Sequence, residues 1–259
     1  MSDSSKGQQL ASTSISTLVV RSVVPALSDY SEYRPFLRRD FFHSCAYCTM
    51  SEAEAQAIRF AIDHYEPRNA RPDLVHHYGN LMYCCDECNL RKGDRSPPAS
   101  AREDGYRFFR PDTDEHSDHF DLSGLRVNSK SKIGEYTIEA LDLNRMALRR
   151  LRELRKRLLE CEDAVAKGIM ALRGAHLDRL PQHLKGSINR SIARAQTVAE
   201  SMAVEIDNVL RSFAKSDLID DDPESQERAK ERAAKLGAIM VLHPGSWRAP
   251  RAARSRTKR

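Results

Sequence analysis

The sequence predicts an α+β protein in which a small mixed segment, pinned by a metal ion, precedes a mainly α-helical C-terminal half. Three observations carry this expectation. Two C-x-x-C pairs, Cys45–Cys48 and Cys85–Cys88, bracket a short stretch with one strand-like apolar run and several turn formers. From Leu151 onward, apolar residues recur at alternating three- and four-residue steps, the spacing that buries one seam of a long helix. Finally, no apolar run approaches the ~20 residues that a membrane helix needs.

The elements follow in order. Residues 1–17 are polar and Ser/Thr-rich, without the basic start and apolar stretch of a secretion signal, and are expected to be a disordered tail. Residues 18–140 are expected to form one domain. It opens on a β-branched run at 18–24 and a helix near Tyr30–Phe41. Ser51–Arg59 reads as a polar linker and Phe60–Ile62 as a strand, followed by Asp63-His64 and by Pro67, which breaks it. Residues 141–240 are expected to be helical. Leu151, Leu154, Leu158, Cys161, Val165, Gly168 and Leu172 make one seam, and Ile188 through Phe213 a second. Gly174 and Pro181 suit a helix end and a helix start, so the two helices should form a long antiparallel hairpin. Asp222-Pro223 should begin a third helix that Gly237 ends, and residues 241–259 form a basic tail.

Charge is divided unevenly. The first 140 residues hold 17 Lys+Arg against 21 Asp+Glu, and the remainder 25 against 16. A polyanionic partner would therefore be drawn mainly to the C-terminal half. Arg145, Arg149, Arg150, Arg152, Arg155, Lys156 and Arg157 oppose a single acid, Glu153, within thirteen positions. They cannot all share one helical face. One face is expected to stay free for phosphate or for an acidic protein surface, and the hairpin to serve as a docking platform.

Six cysteines without a signal peptide point to metal binding and a reducing cytoplasm. Each C-x-x-C turn can aim two sulfurs at one ion, and two turns supply the four thiolates of a closed, structural Zn²⁺ site. Cys84 adjoins Cys85 and leaves a choice of register; Cys85 matches the spacing of the upstream pair. Cys161 falls on the helical seam and reads as a buried small hydrophobe.

Between and after the knuckles stand Asp63-His64-Tyr65-Glu66-Pro67 and Asn80-Leu81 through Asn89-Leu90-Arg91-Lys92-Gly93. Singly these are commonplace: Asp-His usually caps a turn, and Asn80 alone is a turn residue. In this order, between two C-x-x-C pairs, they resemble the HNH (ββα-metal) endonucleases over about a fifth of the chain. The resemblance implies a β-hairpin followed by a helix around one divalent ion. It implies that His64 is the general base, that Asp63 and Asn89 are metal ligands and that Asn80 orients the His64 ring. The chemistry agrees. Phosphodiester hydrolysis needs a base to activate water and a cation to neutralise charge on phosphate. Histidine titrates near neutrality, and Asp63 and Asn89 offer hard oxygens suited to Mg²⁺ or Mn²⁺. His43, His76 and His77 read as surface groups, and Arg91, Lys92 and Arg95 as candidate contacts to the phosphate backbone. Further on, Thr137-Ile138-Glu139-Ala140-Leu141-Asp142-Leu143-Asn144 resembles the turn into a long basic helix found in HNH subunits of Septu-type anti-phage systems, which stand beside an ATPase.

The expected activity is therefore metal-dependent endonucleolytic cleavage of DNA, with RNA as the other candidate substrate, in bacterial anti-phage defence. The expected partners are an ATPase subunit or a second copy docked on the hairpin. The alternative is a non-catalytic zinc module that binds nucleic acid or serves as an adaptor. That alternative keeps the four cysteines but has no need of Asp63, His64 and Asn89 together.

Overall fold

The computed structural model describes residues 19–55, 58–174, 190, 194 and 225–248, with backbone alone for 161–174. The expected second seam, Ile188–Phe213, lies almost wholly outside the described residues, as do the side chain of Cys161 and residues 249–259. Among the described residues no helix is long and apolar enough to cross a membrane.

Residues 19–28 form no strand despite their β-branched character. Arg21 fixes this lead-in instead: it bonds Asp112 and the carbonyls of Tyr78 and Leu81, and its guanidinium lies over the Phe41 and Tyr78 rings. A 3-10 turn at Tyr30–Tyr33 runs into helix α1, Arg34–Asp40. Strands β1 (Phe60–His64) and β2 (Leu81–Cys85) pair antiparallel, Phe60 opposite Cys85 and His64 opposite Leu81. Helix α2, Asp86–Lys92, follows without a linker. Its acids Asp86 and Glu87 sit in the first turn and its bases Arg91 and Lys92 in the last, complementing the helix dipole. Gly93 then stops it at φ +54°, a conformation that costs glycine little.

Helix α3 (Ala99–Glu103) and helix α4 (His116–His119) flank the apolar segment Tyr106–Phe109. A second hairpin follows, β3 (Phe120–Ser123) with β4 (Arg126–Ser129). Helix α5, Lys132–Leu141, starts at Ser131, whose hydroxyl accepts from the Gly134 N–H. The motif read as a turn, Thr137–Asn144, is instead the second half of this helix plus its exit. Asp142 takes the left-handed conformation that ends it, and Arg91, Arg228 and Arg232 gather round its carboxylate. Helix α6 spans Met146–Gly174 and helix α7 Ser225–Leu242. Helix α7 passes through Gly237 rather than ending there: a glycine costs a helix only about 1 kcal/mol, and Arg232 and Lys235 anchor the helix on Glu139.

One core cluster joins α1, both β1–β2 strands, the cysteines, α5 and the start of α6. Leu148, Leu151 and Leu154 are buried in or against it, so the first part of the expected hairpin seam packs on the globular body; Leu158 is exposed. Three of the α6 arginines are likewise engaged within the chain. Arg152 bonds the carbonyls of Leu125 and Leu143, Arg155 clasps Glu54 and Thr49, and Arg157 pairs with Glu153 one turn away. Trp247, expected in a free tail, is buried against Tyr136, and Arg248 bridges to Arg95.

Gly134 packs so closely on the chain before β3 that an added Cβ would lie 2.1 Å from the His119 carbonyl oxygen. The obstacle is backbone, which cannot swing aside as a side chain can. Gly134→Ala should cost at least the ~1–3 kcal/mol typical of overpacking. Chemical denaturation would read it as a lowered midpoint, and an unshifted midpoint would contradict the packing.

Candidate metal centre and active site

The β1–β2 hairpin and α2 place both C-x-x-C pairs side by side. The knuckle turn carrying Cys45 and Cys48 is tied to the hairpin by the Ala46 N–H bond to the Tyr83 carbonyl. Cys85 ends β2 and Cys88 lies in the first turn of α2. The ligand atoms of Cys45, Cys48, Cys85 and Cys88 all lie within 4.8 Å of one another, and all four residues are buried. Zn–S bonds of about 2.3 Å in a tetrahedron put sulfurs roughly 3.8 Å apart; the Cys48 and Cys85 sulfurs are 3.7 Å apart. Cys84, equally buried, belongs to the opposite face, since consecutive strand residues project to opposite sides.

The surroundings of the four sulfurs fit a cation-bound thiolate cluster. Hydrogen bonds from Cys45, Cys85 and Cys88 hold the Cys48 thiol well below its ordinary pKa, while Cys45, by burial, and Cys88 lie well above theirs and would need a bound cation to be held as thiolates. Arg145 is buried beside them, its guanidinium 3.7 Å from the Cys88 sulfur and bonded to the Leu141 and Asp142 carbonyls. A buried guanidinium needs negative charge close by. Four neutral thiols would not supply it, whereas four thiolates around Zn²⁺ carry a net −2. Arg145, the first of the seven cations that the sequence spreads over several helical faces, would thus be a charge partner of the metal-bound cluster.

Asp63 and His64 end β1, within the strand rather than beyond it. Asp63 is 4% exposed, and both of its oxygens are held: Lys92 Nζ donates to Oδ1 at 3.0 Å and the Tyr47 hydroxyl donates to Oδ2 at 2.7 Å. Lys92 is fully buried and also donates to the His64 carbonyl at 2.7 Å. It therefore does not face solvent as a phosphate contact, because a buried ammonium lowers its energy most by meeting a buried carboxylate. Arg91 and Arg95 are also engaged internally, Arg91 with Glu87 and Asp142, Arg95 with the carbonyls of Arg91 and Ala140. Asn89 is half-buried on α2 three residues before Lys92, so it shares that helix flank.

The His64 ring lies edge-on to Tyr30, centroids 4.8 Å apart, with Nε2 3.0 Å from the Val75 carbonyl oxygen. A carbonyl only accepts, so Nε2 carries the proton in this contact and Nδ1 keeps its lone pair. Burial lowers the His64 pKa from its ordinary value, against the pull of the Val75 bond, and favours the neutral ring. Asn80, expected to orient this ring, does something else. Its amide accepts from the Glu66 N–H at 2.8 Å and donates to the Glu66 and Leu74 carbonyls at 3.1 and 3.3 Å. It closes the loop between β1 and β2, and that loop carries Val75. The contact that orients the ring is therefore a backbone carbonyl, which no side-chain pattern announces. His43, His76 and His77 are exposed.

Against this geometry stand the known proteins. No family model matches the chain. It is similar to two curated bacterial proteins. One is the Septu protein PtuA of Bacillus mycoides (strain KBAB4), 32% identical over 143 residues, which are 45% of this chain and 20% of that protein. The other is the Septu protein PtuB of Bacillus thuringiensis, 26% identical over 104 residues, which are 40% of this chain and 38% of that protein. The chain is similar in part to Septu proteins. It spans about a fifth of the one and about two fifths of the other.

Proposed function

We propose that the chain is a metal-dependent endonuclease of the HNH type that hydrolyses phosphodiester bonds in DNA. The observation that carries this reading is the junction of β1 and α2. There a histidine with a free Nδ1 lone pair adjoins a fixed, buried carboxylate, with an asparagine on the facing helix. His64 Nδ1 takes the proton from the attacking water. Its Nε2–H stays on the Val75 carbonyl, which holds the tautomer and the ring plane. Asp63 and Asn89 are the oxygen donors for Mg²⁺ or Mn²⁺. A carboxylate has about four lone-pair sites, so the two protein donors on Asp63 leave about two for a cation. When bound, that ion supplies electrostatic stabilisation of charge on the phosphate. The four-cysteine site would hold Zn²⁺ in a structural role, having no open position.

Partial similarity to Septu proteins supports a role in bacterial anti-phage defence; that the chain is the effector there and has an ATPase subunit as partner is part of the same proposal. Supercoiled plasmid incubated with Mg²⁺ or Mn²⁺ should be converted to nicked or linear forms, and EDTA should stop it. An RNA duplex run in parallel separates the two substrate classes. Folded, zinc-loaded protein that leaves both intact in either ion would favour the adaptor reading and overturn this one.

Residues 249–259 hold Arg251, Arg254, Arg256, Lys258 and Arg259 and no acid. We expect them to grip the phosphate backbone without sequence preference. Because Trp247 and Arg248 are docked on the body, truncation should begin after Arg248. Each lost phosphate contact lowers the slope of log affinity against log salt by about 0.9. Fluorescence anisotropy at several salt concentrations would show a flatter slope, and an unchanged slope would refute the assignment.

A further inference from the structure

The two donors on Asp63 come from two different parts of the chain, and both parts are rooted in the cysteine cluster. Tyr47 stands inside the first C-x-x-C turn, one residue from Cys48 and two from Cys45. Its ring is buried, within 6.3 Å of Phe108, and its hydroxyl has Asp63 Oδ2 as acceptor. Lys92 lies four residues after Cys88 on α2, hence directly above it on the same helix face. Its ammonium, 5.6 Å from the Phe108 ring centroid, has Asp63 Oδ1 and the His64 carbonyl as acceptors. The buried Lys92 ammonium needs a carboxylate such as Asp63, whereas the neutral Tyr47 hydroxyl has no such need of one. A buried tyrosine elsewhere in the chain, Tyr65, is satisfied by a backbone carbonyl.

From this juxtaposition we infer that Tyr47 and Lys92 are positioning residues that set the orientation of the Asp63 carboxylate, and that through them the four-cysteine site controls cation binding at Asp63. The inference rests on the proposed role of Asp63 as a metal ligand. Each half of the cysteine site delivers one donor to one carboxylate oxygen, so the carboxylate plane is fixed only when both halves are held together. The lone pairs left for a cation then point in one direction. Without either donor the carboxylate can rotate about its terminal torsion, which is broad for aspartate. Groups of this kind, which touch a metal ligand and never the metal, typically change metal affinity or activity by about 10- to 100-fold when removed.

The test uses the full chain with its zinc content verified, and Mn²⁺ as the probe. Tyr47→Phe deletes a single hydroxyl and keeps the buried ring. Mn²⁺ titration followed by electron paramagnetic resonance should show affinity weakened by about 10-fold or more, with zinc content and melting temperature close to wild type. Plasmid cleavage should lose kcat with KM for DNA unchanged. Lys92→Met is the second variant, and its weakened Mn²⁺ binding is read at a temperature where circular dichroism shows it folded. Asp63→Asn is the control. If Asp63→Asn weakens Mn²⁺ binding while folded Tyr47→Phe binds and cuts as wild type does, the positioning role is overturned and the nuclease reading stands. If Asp63→Asn binds Mn²⁺ as wild type does, the ligand role of Asp63 falls and the inference falls with it.

Discussion

Replacing Cys85 by serine is expected to release the structural metal and unfold the β1–β2–α2 unit, whereas Cys84→Ser is expected to leave both in place. The two residues are adjacent and equally buried, so burial alone predicts equal damage. The difference lies in what each sulfur meets. Cys85 is one of four whose ligand atoms lie within 4.8 Å of one another, and Cys84 is outside that group. A hydroxyl is a poor substitute for thiolate at zinc. Structural zinc in small thiolate sites contributes about 10–16 kcal/mol of apparent binding free energy, comparable to or larger than the whole stability of a typical domain. Loss of one ligand also leaves Arg145 buried beside an incomplete cluster. Cys84→Ser costs only what burying a hydroxyl costs, about 1–3 kcal/mol from protein mutational data. Elemental analysis after dialysis, with thermal melting of both variants, decides the matter. Zinc retained by folded Cys85→Ser would remove the four-thiolate site.

His64→Ala should reduce cleavage by about 10²- to 10⁴-fold, the usual contribution of a positioned general base, and leave zinc content unchanged. The ring touches Tyr30 and the Val75 carbonyl but no cysteine, so its removal opens a small gap at one edge of the hairpin without reaching the cluster. Single-turnover kinetics on plasmid, at saturating Mn²⁺, would isolate the chemical step. Folded His64→Ala that cuts at the wild-type rate would end the assignment. Asn80→Ala should act more mildly and through the same atom, because Asn80 closes the loop that presents the Val75 carbonyl.

These two outcomes separate what the sequence says about the site from what folding adds to it. The cysteine spacing was enough to choose the four sulfurs and to prefer Cys85 over Cys84, because metal-ligand turns have short, local geometry. The order Asp63, His64, Asn80, Asn89 nominated the site proposed for catalysis. The α+β class followed from the same clustering and from the 3.5-residue apolar period beyond it. The roles of the charged residues were not legible. Composition presents the α6 arginines and Lys92 as cations available to a polyanion. In the structure Arg145 lies against the Cys88 sulfur, Arg155 holds Glu54, Arg152 caps two carbonyls and Lys92 is sealed against Asp63.

The sequence by itself therefore determined which four cysteines could hold a metal, and it nominated the residues proposed for phosphodiester chemistry. Tertiary structure alone decided which of them is a donor and to whom: Val75 rather than Asn80 against His64, and Tyr47 and Lys92 against Asp63. The physical reason is distance along the chain. Ligand pairs within one turn of backbone are set by local geometry, but a buried charge is satisfied by whatever the fold brings within about 3 Å. For Asp63 those partners lie 16 and 29 residues away.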